Sequence, residues 1–307
     1  MFRLTYCFLL VLLLNGAVAV AQESQPQEEP STTLKVDVRL VNVFVTVTDA
    51  NGAPIGNLKM EDFQLLEDNT PEKIAVFGRE SELPLSIALL IDASLSARKE
   101  LQLELESARR FVKSILRPID AVSLIQFSEY VDELVPFTSD MRRLDRGISR
   151  VKVGSATALY DAIYLAAESL VNRKGRKVIV VITDGGDTVS STTFHQALRE
   201  AQQSEAIVYS IIVVPVPGAS GRNTGGEHAL IEISNQTGGK HYYATEIARL
   251  DQAFQQISDE LRTQYLLAYY PSRRLSDSSF REIEVQVKGP EGVKARHRKG
   301  YYTTPSK

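Results

Sequence analysis

Between Leu85 and Arg262 the sequence switches repeatedly between two apolar patterns, and this restricts the fold more than any other feature. Ser86–Ile91 is an unbroken apolar run, as a strand buried on both faces requires. Val178–Ile182 is the most hydrophobic run, and Ala121–Phe127, Ile207–Val214 and the short His241–Ala244 also read as strands. Tyr130–Phe137 reads as an edge strand. The intervening segments change period. Leu101, Leu105, Ala108, Val112, Ile115 and Leu116 recur at helical spacing, as do Leu159, Ala162, Ile163, Ala166 and Leu170. Further helices are expected over Phe194–Gln203, Ala229–Gln236 (closed by Gly238-Gly239) and Leu250–Arg262. Strands alternating with helices predict an α/β fold with a doubly wound, mostly parallel sheet.

The flanks have strand character only. Val36, Val38 and Leu40 alternate with polar residues, and Val41, Val43, Val45 and Val47 do so on the opposite parity, which predicts a bulge or break near Leu40-Val41. Asp49–Gly52 is a turn signal. Phe63–Leu66 and Ile74–Phe77 are short strand candidates separated by Asp68–Pro71. After Thr263, Tyr265–Tyr270 is strand-like, Ile283, Val285 and Val287 alternate with polar residues, and Lys288–Gly292 turns the chain into a last strand over Val293–Tyr302. Neither flank has enough strands to cover an apolar face alone. The expectation is one small β-sandwich built from residues 34–82 and 264–307, with the α/β domain, residues 83–263, inserted between its halves.

The beginning of the chain reads as an export signal. Arg3 is basic, Phe8–Leu14 is apolar but short for a bilayer, and Ala19-Val20-Ala21 has the small-x-small form of a cleavage site. Cleavage after Ala21 is expected, with an uncleaved membrane anchor as the alternative. Residues 22–33 read as a Gln/Glu/Pro/Ser-rich disordered linker. The single cysteine, Cys7, lies inside the signal, so a mature chain would hold no disulfide. The chain as a whole, 43% hydrophobic and 24% charged, is ordinary for a globular protein, and a net charge of −3 gives no reason to expect nucleic acid or a membrane surface as partner.

Two of the buried strands run into oxygen-rich loops, Asp92-Ala93-Ser94-Leu95-Ser96 and Thr183-Asp184-Gly185-Gly186-Asp187-Thr188. Gly154-Ser155-Ala156-Thr157 precedes a helix at the same end. In open α/β sheets, ligands bind beyond the carboxyl ends of the strands. Asp-x-Ser-x-Ser after a hydrophobic strand resembles the metal-ion-dependent adhesion site of von Willebrand factor A-type domains. In that family a Thr from a later loop and the Asp of a Thr-Asp-Gly strand end complete the site. The resemblance implies Asp92, Ser94, Ser96, Thr157 and Asp184 as metal ligands. Thr157–Ile163 resembles the family's helix start and Ile233–Lys240 its later Thr-Gly-Gly element, so the likeness spans roughly Pro84 to Arg262. The flanks, with Asp62-Phe63 and Arg298–Tyr302, resemble those of an exported bacterial subfamily.

The donor chemistry agrees. Two carboxylates and three hydroxyls are hard oxygen ligands, suited to Mg²⁺ or Mn²⁺ and poor for Zn²⁺. An ion so held stays electropositive and can accept a Glu or Asp carboxylate from a protein partner. The expected function is therefore a non-enzymatic binding module. The alternatives are a structural envelope protein whose metal only stabilises the fold, or a metal-dependent phosphate-ester hydrolase. The hydrolase reading lacks an acid two residues after Asp92, where Ser94 stands, and no nucleophile elbow or phosphate-cradling glycine loop is present. Neither a nucleic acid nor a small-molecule substrate is expected.

Other residues carry weaker signals. Asp187 reads as a solvated or supporting group, and Asp161 as a first-turn helix carboxylate favoured by the dipole. His195, His228, His241 and His297 lack metal-ligand spacing and read as structural. Lys294, Arg296, Arg298 and Lys299 read as the solvated face of an edge strand, ahead of an anion site. Asn235-Gln236-Thr237 is a glycosylation sequon, meaningful only in a host that glycosylates. Residues 217–226 read as a flexible loop, either bordering the metal face or merely connecting.

Overall fold

A computed structural model describes residues 40–79, 83–97, 101–214, 224–273, 279–289 and 292–303. The export signal, the linker, the parity change before Val41 and most of the 217–226 loop lie outside the described residues. No described helix is long and apolar enough to cross a membrane.

The chain opens with β1 (Val41–Thr48), β2 (Phe63–Glu67), β3 (Thr70–Glu72) and β4 (Ile74–Arg79). The α/β portion follows as β5 (Leu85–Asp92), α1 (Leu101–Ile115), β6 (Ala121–Phe127), β7 (Val131–Thr138), α2 (Met141–Ile148) and α3 (Leu159–Leu170). It continues with β8 (Arg176–Thr183), α4 (Phe194–Gln203), β9 (Ile207–Val213), α5 (Thr224–Thr237), β10 (His241–Ala244) and α6 (Ile247–Thr263). The last strands are β11 (Tyr265–Tyr269), β12 (Phe280–Val287), β13 (Lys294–Arg296) and β14 (Gly300–Tyr302).

The central sheet has the order β10-β9-β8-β5-β6-β7, parallel except for the edge strand β7. Burial on both faces explains the unbroken apolar runs. In β5, Leu85, Ile87, Leu89 and Ile91 belong to the core shared with α1 and α6 on one face, while Ala88 and Leu90 belong to the core shared with α3, α4 and α5 on the other. Side chains alternate along a strand, so both parities must be apolar.

The flanks interleave in two further sheets, β13-β1-β11-β4 and β14-β12-β2-β3. β1 from the start of the chain pairs with β11 after the last helix, and β2 pairs with β12. Val41, Val43, Val45, Val47, Phe63, Leu65, Tyr265, Leu267, Tyr269, Ile283, Val285 and Tyr301 form one core between these sheets. A carboxyl group is buried in it: Glu67 follows Phe63 and Leu65 on the inward parity and accepts hydrogen bonds from the Tyr269 and Tyr301 hydroxyls at 2.7 and 2.9 Å.

Three expectations change. The expected last strand breaks at His297–Lys299 into β13 and β14, which sit in different sheets. The basic residues of that segment are not one solvated edge. Arg298 is buried, donating to the Asn42 carbonyl at 2.6 Å and to Glu205 at 3.3 Å. Arg296 pairs with Glu260 of α6 and donates to the Gly238 carbonyl at 3.2 Å. The Lys299 amide donates to the Gln236 carbonyl at 2.9 Å, and Gln264 reaches Thr46 at 3.2 Å. These bonds form a seam joining the sandwich to the ends of α5 and α6 and the segments before β9 and β10. Finally, α2 is an unforeseen helix, capped by Asp140 accepting from the Arg142 and Arg143 amides.

Candidate metal centre

β5, β6 and β8 end at one pole of the sheet, the pole opposite the seam. Asp92 closes β5 and is fully buried. Its Oδ1 accepts from the Ser94 amide at 2.8 Å, curling the loop back on itself, and its Oδ2 accepts from the Thr183 hydroxyl at 2.6 Å. The Ser94 and Ser96 hydroxyls lie 3.1 Å apart, Ser94 buried and Ser96 exposed. The i, i+2, i+4 spacing thus gathers Asp92, Ser94 and Ser96 in one turn.

Asp184 follows Thr183 and is half-buried. Thr157 is buried in the loop before α3. Three bonds tie that loop to the others. Gly154 donates to the Ala93 carbonyl at 2.7 Å, Ala158 donates to the Ser128 carbonyl at 2.7 Å, and Thr188 donates to the Thr157 carbonyl at 2.8 Å. The loop from β6 is joined as well, since Ala93 donates to the Phe127 carbonyl at 2.8 Å. The five sequence-derived residues therefore sit on loops stitched into one surface.

Neighbouring acids hold these loops rather than face the turn of Asp92. Asp187 accepts from the Ser190 hydroxyl at 2.5 Å and the Tyr160 amide at 3.3 Å, bracing its loop on α3. Asp161 accepts from the Ser191 and Thr192 amides at 3.0 and 2.7 Å, a tether beyond the helix-dipole role. Glu129, not singled out from the sequence, accepts from the Ser155 amide at 2.6 Å, and that bond holds its carboxyl down at about 2. Its position just past β6 was the available signal.

The electrostatics of Asp92 test the donor set. Burial pushes its carboxyl up to about 6, the Thr183 and Ser94 hydrogen bonds pull it down, and the charge of Asp184 pushes it up again. No cation acts on it among the described residues. A buried carboxylate facing a second one is costly unless a positive charge compensates. Two carboxylates with three nearby hydroxyls suit a hard divalent cation that keeps some of its water. Among the described residues no group of three or more His, Cys, Asp or Glu is placed to hold a metal. The oxygens around Asp92 are of another kind, carboxylates with hydroxyls on adjoining loops.

Residues 87–186 match the model of the von Willebrand factor type A domain. A comparison with curated proteins found no match. Among solved structures, a von Willebrand factor type A protein from Catenulispora acidiphila is 10% identical, with a TM-score of 0.51 over 87% of this chain and 74% of its own. Proximal thread matrix protein 1 from the mussel byssus is 15% identical, with a TM-score of 0.50 over 64% of this chain and 49% of its own. The conserved hypothetical protein BatB from Bacteroides thetaiotaomicron is 20% identical, covering 57% of this chain and 98% of its own at a TM-score of 0.47. The first two likenesses concern the fold.

Proposed function

We propose that this chain, which carries a von Willebrand factor type A domain, is an exported, non-enzymatic module that binds an acidic group of a protein partner through Mg²⁺ or Mn²⁺. Asp92, Ser94, Ser96, Thr157 and Asp184 would hold the ion. The observation that carries the reading is Asp92, a fully buried carboxylate repelled by Asp184 and compensated by no described cation. When bound, the ion supplies an electropositive centre with a position open to an incoming carboxylate. The rest is done by the chain's own residues. Asp92 and Asp184 bring two negative charges, the hydroxyls of Ser94, Ser96 and Thr157 bring none, and the stitched loops hold all five in place.

The surrounding surface supports binding. Leu95, Tyr130, Val153 and Val189 stand on these same loops and are 58%, 72%, 42% and 47% exposed. Large apolar side chains gathered on one face mark interaction sites. The hydroxyl of Ser94, where a hydrolase would need a general acid, supports a binding role over catalysis. Export rests on the basic, apolar and small-x-small segments ending near Ala21.

Calorimetric titration with Mg²⁺ and Mn²⁺ tests the ion, comparing wild type with Thr157→Ala and Asp184→Ala. Capture of partners from envelope extracts, in Mg²⁺ and in chelator, tests recognition. Saturable metal binding lost in both variants, with capture lost in chelator, is the expected result. Metal binding without metal-dependent capture would leave only a fold-stabilising ion, and equal titrations in all three proteins would remove the site.

A further inference from the structure

The outer side of β7 carries a groove of about 300 Å³ lined by Leu134, Val135, Pro136, Arg143, Arg146 and Arg150. Arg143 and Arg146 are three residues apart on α2 and Arg150 follows its end, a spacing that sets all three along one stripe. Arg150 donates to the Leu134 carbonyl at 2.5 Å and so lies along the strand edge. The acids nearby have their hydrogen-bond partners elsewhere. Asp145 accepts from Arg109, Asp140 caps α2, Glu133 accepts from Ser123 and Asp132 from Gln126. Among the described residues none of the three arginines forms an ion pair. Like charges at this spacing repel; the charge of Asp140 acts on Arg146, and among the described residues no ion pair offsets the rest.

The strand edge itself is closed to an added strand. Arg150 already occupies the Leu134 carbonyl, and Pro136 has no N–H to offer. An extended peptide is therefore a poor occupant and a compact anion a good one. Guanidinium groups present planar forks that match phosphate and sulfate oxygens.

We propose that the Arg143–Arg146–Arg150 groove binds a multivalent oxyanion, a ligand bearing phosphate or sulfate groups. It shares no residue with the metal loops, so the two sites stand or fall separately. The test is calorimetric titration at low ionic strength with inorganic pyrophosphate and, separately, with dextran sulfate. Four proteins are compared: wild type, R143Q/R146Q/R150Q, R143Q/R146Q, and K73Q/K174Q/K294Q, which removes three exposed cations elsewhere. The triple arginine variant should bind at least about ten-fold more weakly. The double variant, which keeps the Arg150 bond to β7 and guards against misfolding, should fall between it and wild type, and the lysine variant should match wild type. Saturable pyrophosphate binding identifies a free anion as ligand. Dextran sulfate binding alone, with the same ranking of variants, identifies a sulfated or phosphorylated polymer. Absence of binding by both probes, or equal losses in the arginine and lysine variants, overturns the proposal.

Discussion

Gly238 offers a direct measure of how tightly the sandwich is held to the α/β domain. It follows α5 with φ +83°, and a Cβ there would lie 2.5 Å from the Arg298 nitrogen and 2.6 Å from the His297 carbonyl carbon. Both are backbone atoms of the sandwich, so neither can swing aside. Gly52 is the control: its φ is +84°, but a Cβ there would meet nothing within 4 Å. Gly52→Ala should therefore cost only the left-handed conformation, about 1–2 kcal/mol. Gly238→Ala should cost that plus the overpacking of two backbones, about 1–3 kcal/mol more. At roughly 2–4 °C per kcal/mol for a domain of this size, the second variant should melt several degrees below the first. Scanning calorimetry measures the difference, and hydrogen exchange at the Lys299 amide, whose bond to Gln236 crosses the seam, locates it. Equal melting temperatures for the two variants, with unchanged protection at Lys299, would refute the claim that this contact is a tight seam.

Three further outcomes follow from the same structure. Mg²⁺ at one hundred times its dissociation constant should stabilise the protein by about 2.7 kcal/mol, read as a rise in melting temperature that Thr157→Ala and Asp184→Ala lack; a rise of equal size in those variants sinks the metal assignment. Arg296→Gln leaves Glu260, which is 5% exposed, with the Tyr242 hydroxyl at 3.2 Å and Lys240 at 3.9 Å, and should cost about 2 kcal/mol in urea unfolding; a loss below about 0.5 kcal/mol would make the pair incidental. His297 accepts from the Val285 amide through Nε2 and so donates through Nδ1 to the Arg298 carbonyl, and burial holds its imidazole below the usual range. Its contribution is thus complete above about pH 6.5 and lost as pH falls through the lower folded value, so His297→Asn should be weaker at neutral pH and show a flatter acid limb in urea midpoints; an unchanged slope argues against the neutral ring.

The α/β order could be read from the chain because strands buried on both faces must be apolar at every position. Leu85–Asp92 is buried throughout. α2 escaped because it buries only Leu144, Gly147 and Ile148 in eight residues, too few to set a period. Glu67 was visible only as parity, a polar residue in step with Phe63 and Leu65. Arg298 was misread for a different reason: what buries it, Glu205 and the Asn42 carbonyl, lies far away in sequence, and no local pattern announces such partners. The oxygen-rich loops were legible as loops since each directly follows an apolar strand. The tethers of Asp161, Asp187 and Glu129 depend on loops meeting in space.

The chain enters the α/β domain at Leu85 and leaves it at Thr263, both beside the sandwich, while the loops of Asp92, Thr157 and Asp184 lie at the far end of the strands. An eight-residue strand such as β8 puts roughly 25 Å between these poles. A load applied at the far pole and resisted in the sandwich therefore divides between two covalent connections, one into β5 and one out of α6. Neither connection can be drawn out alone, because β4 and β11, which carry them, are neighbours in one sheet. Both strands are drawn from the same end, Arg79 and Tyr265 being register partners, so tension passes to the β1–β11 ladder and loads its hydrogen bonds together in shear instead of opening them one at a time. The interleaving of the two flanks fastens both ends of the α/β domain to one sandwich.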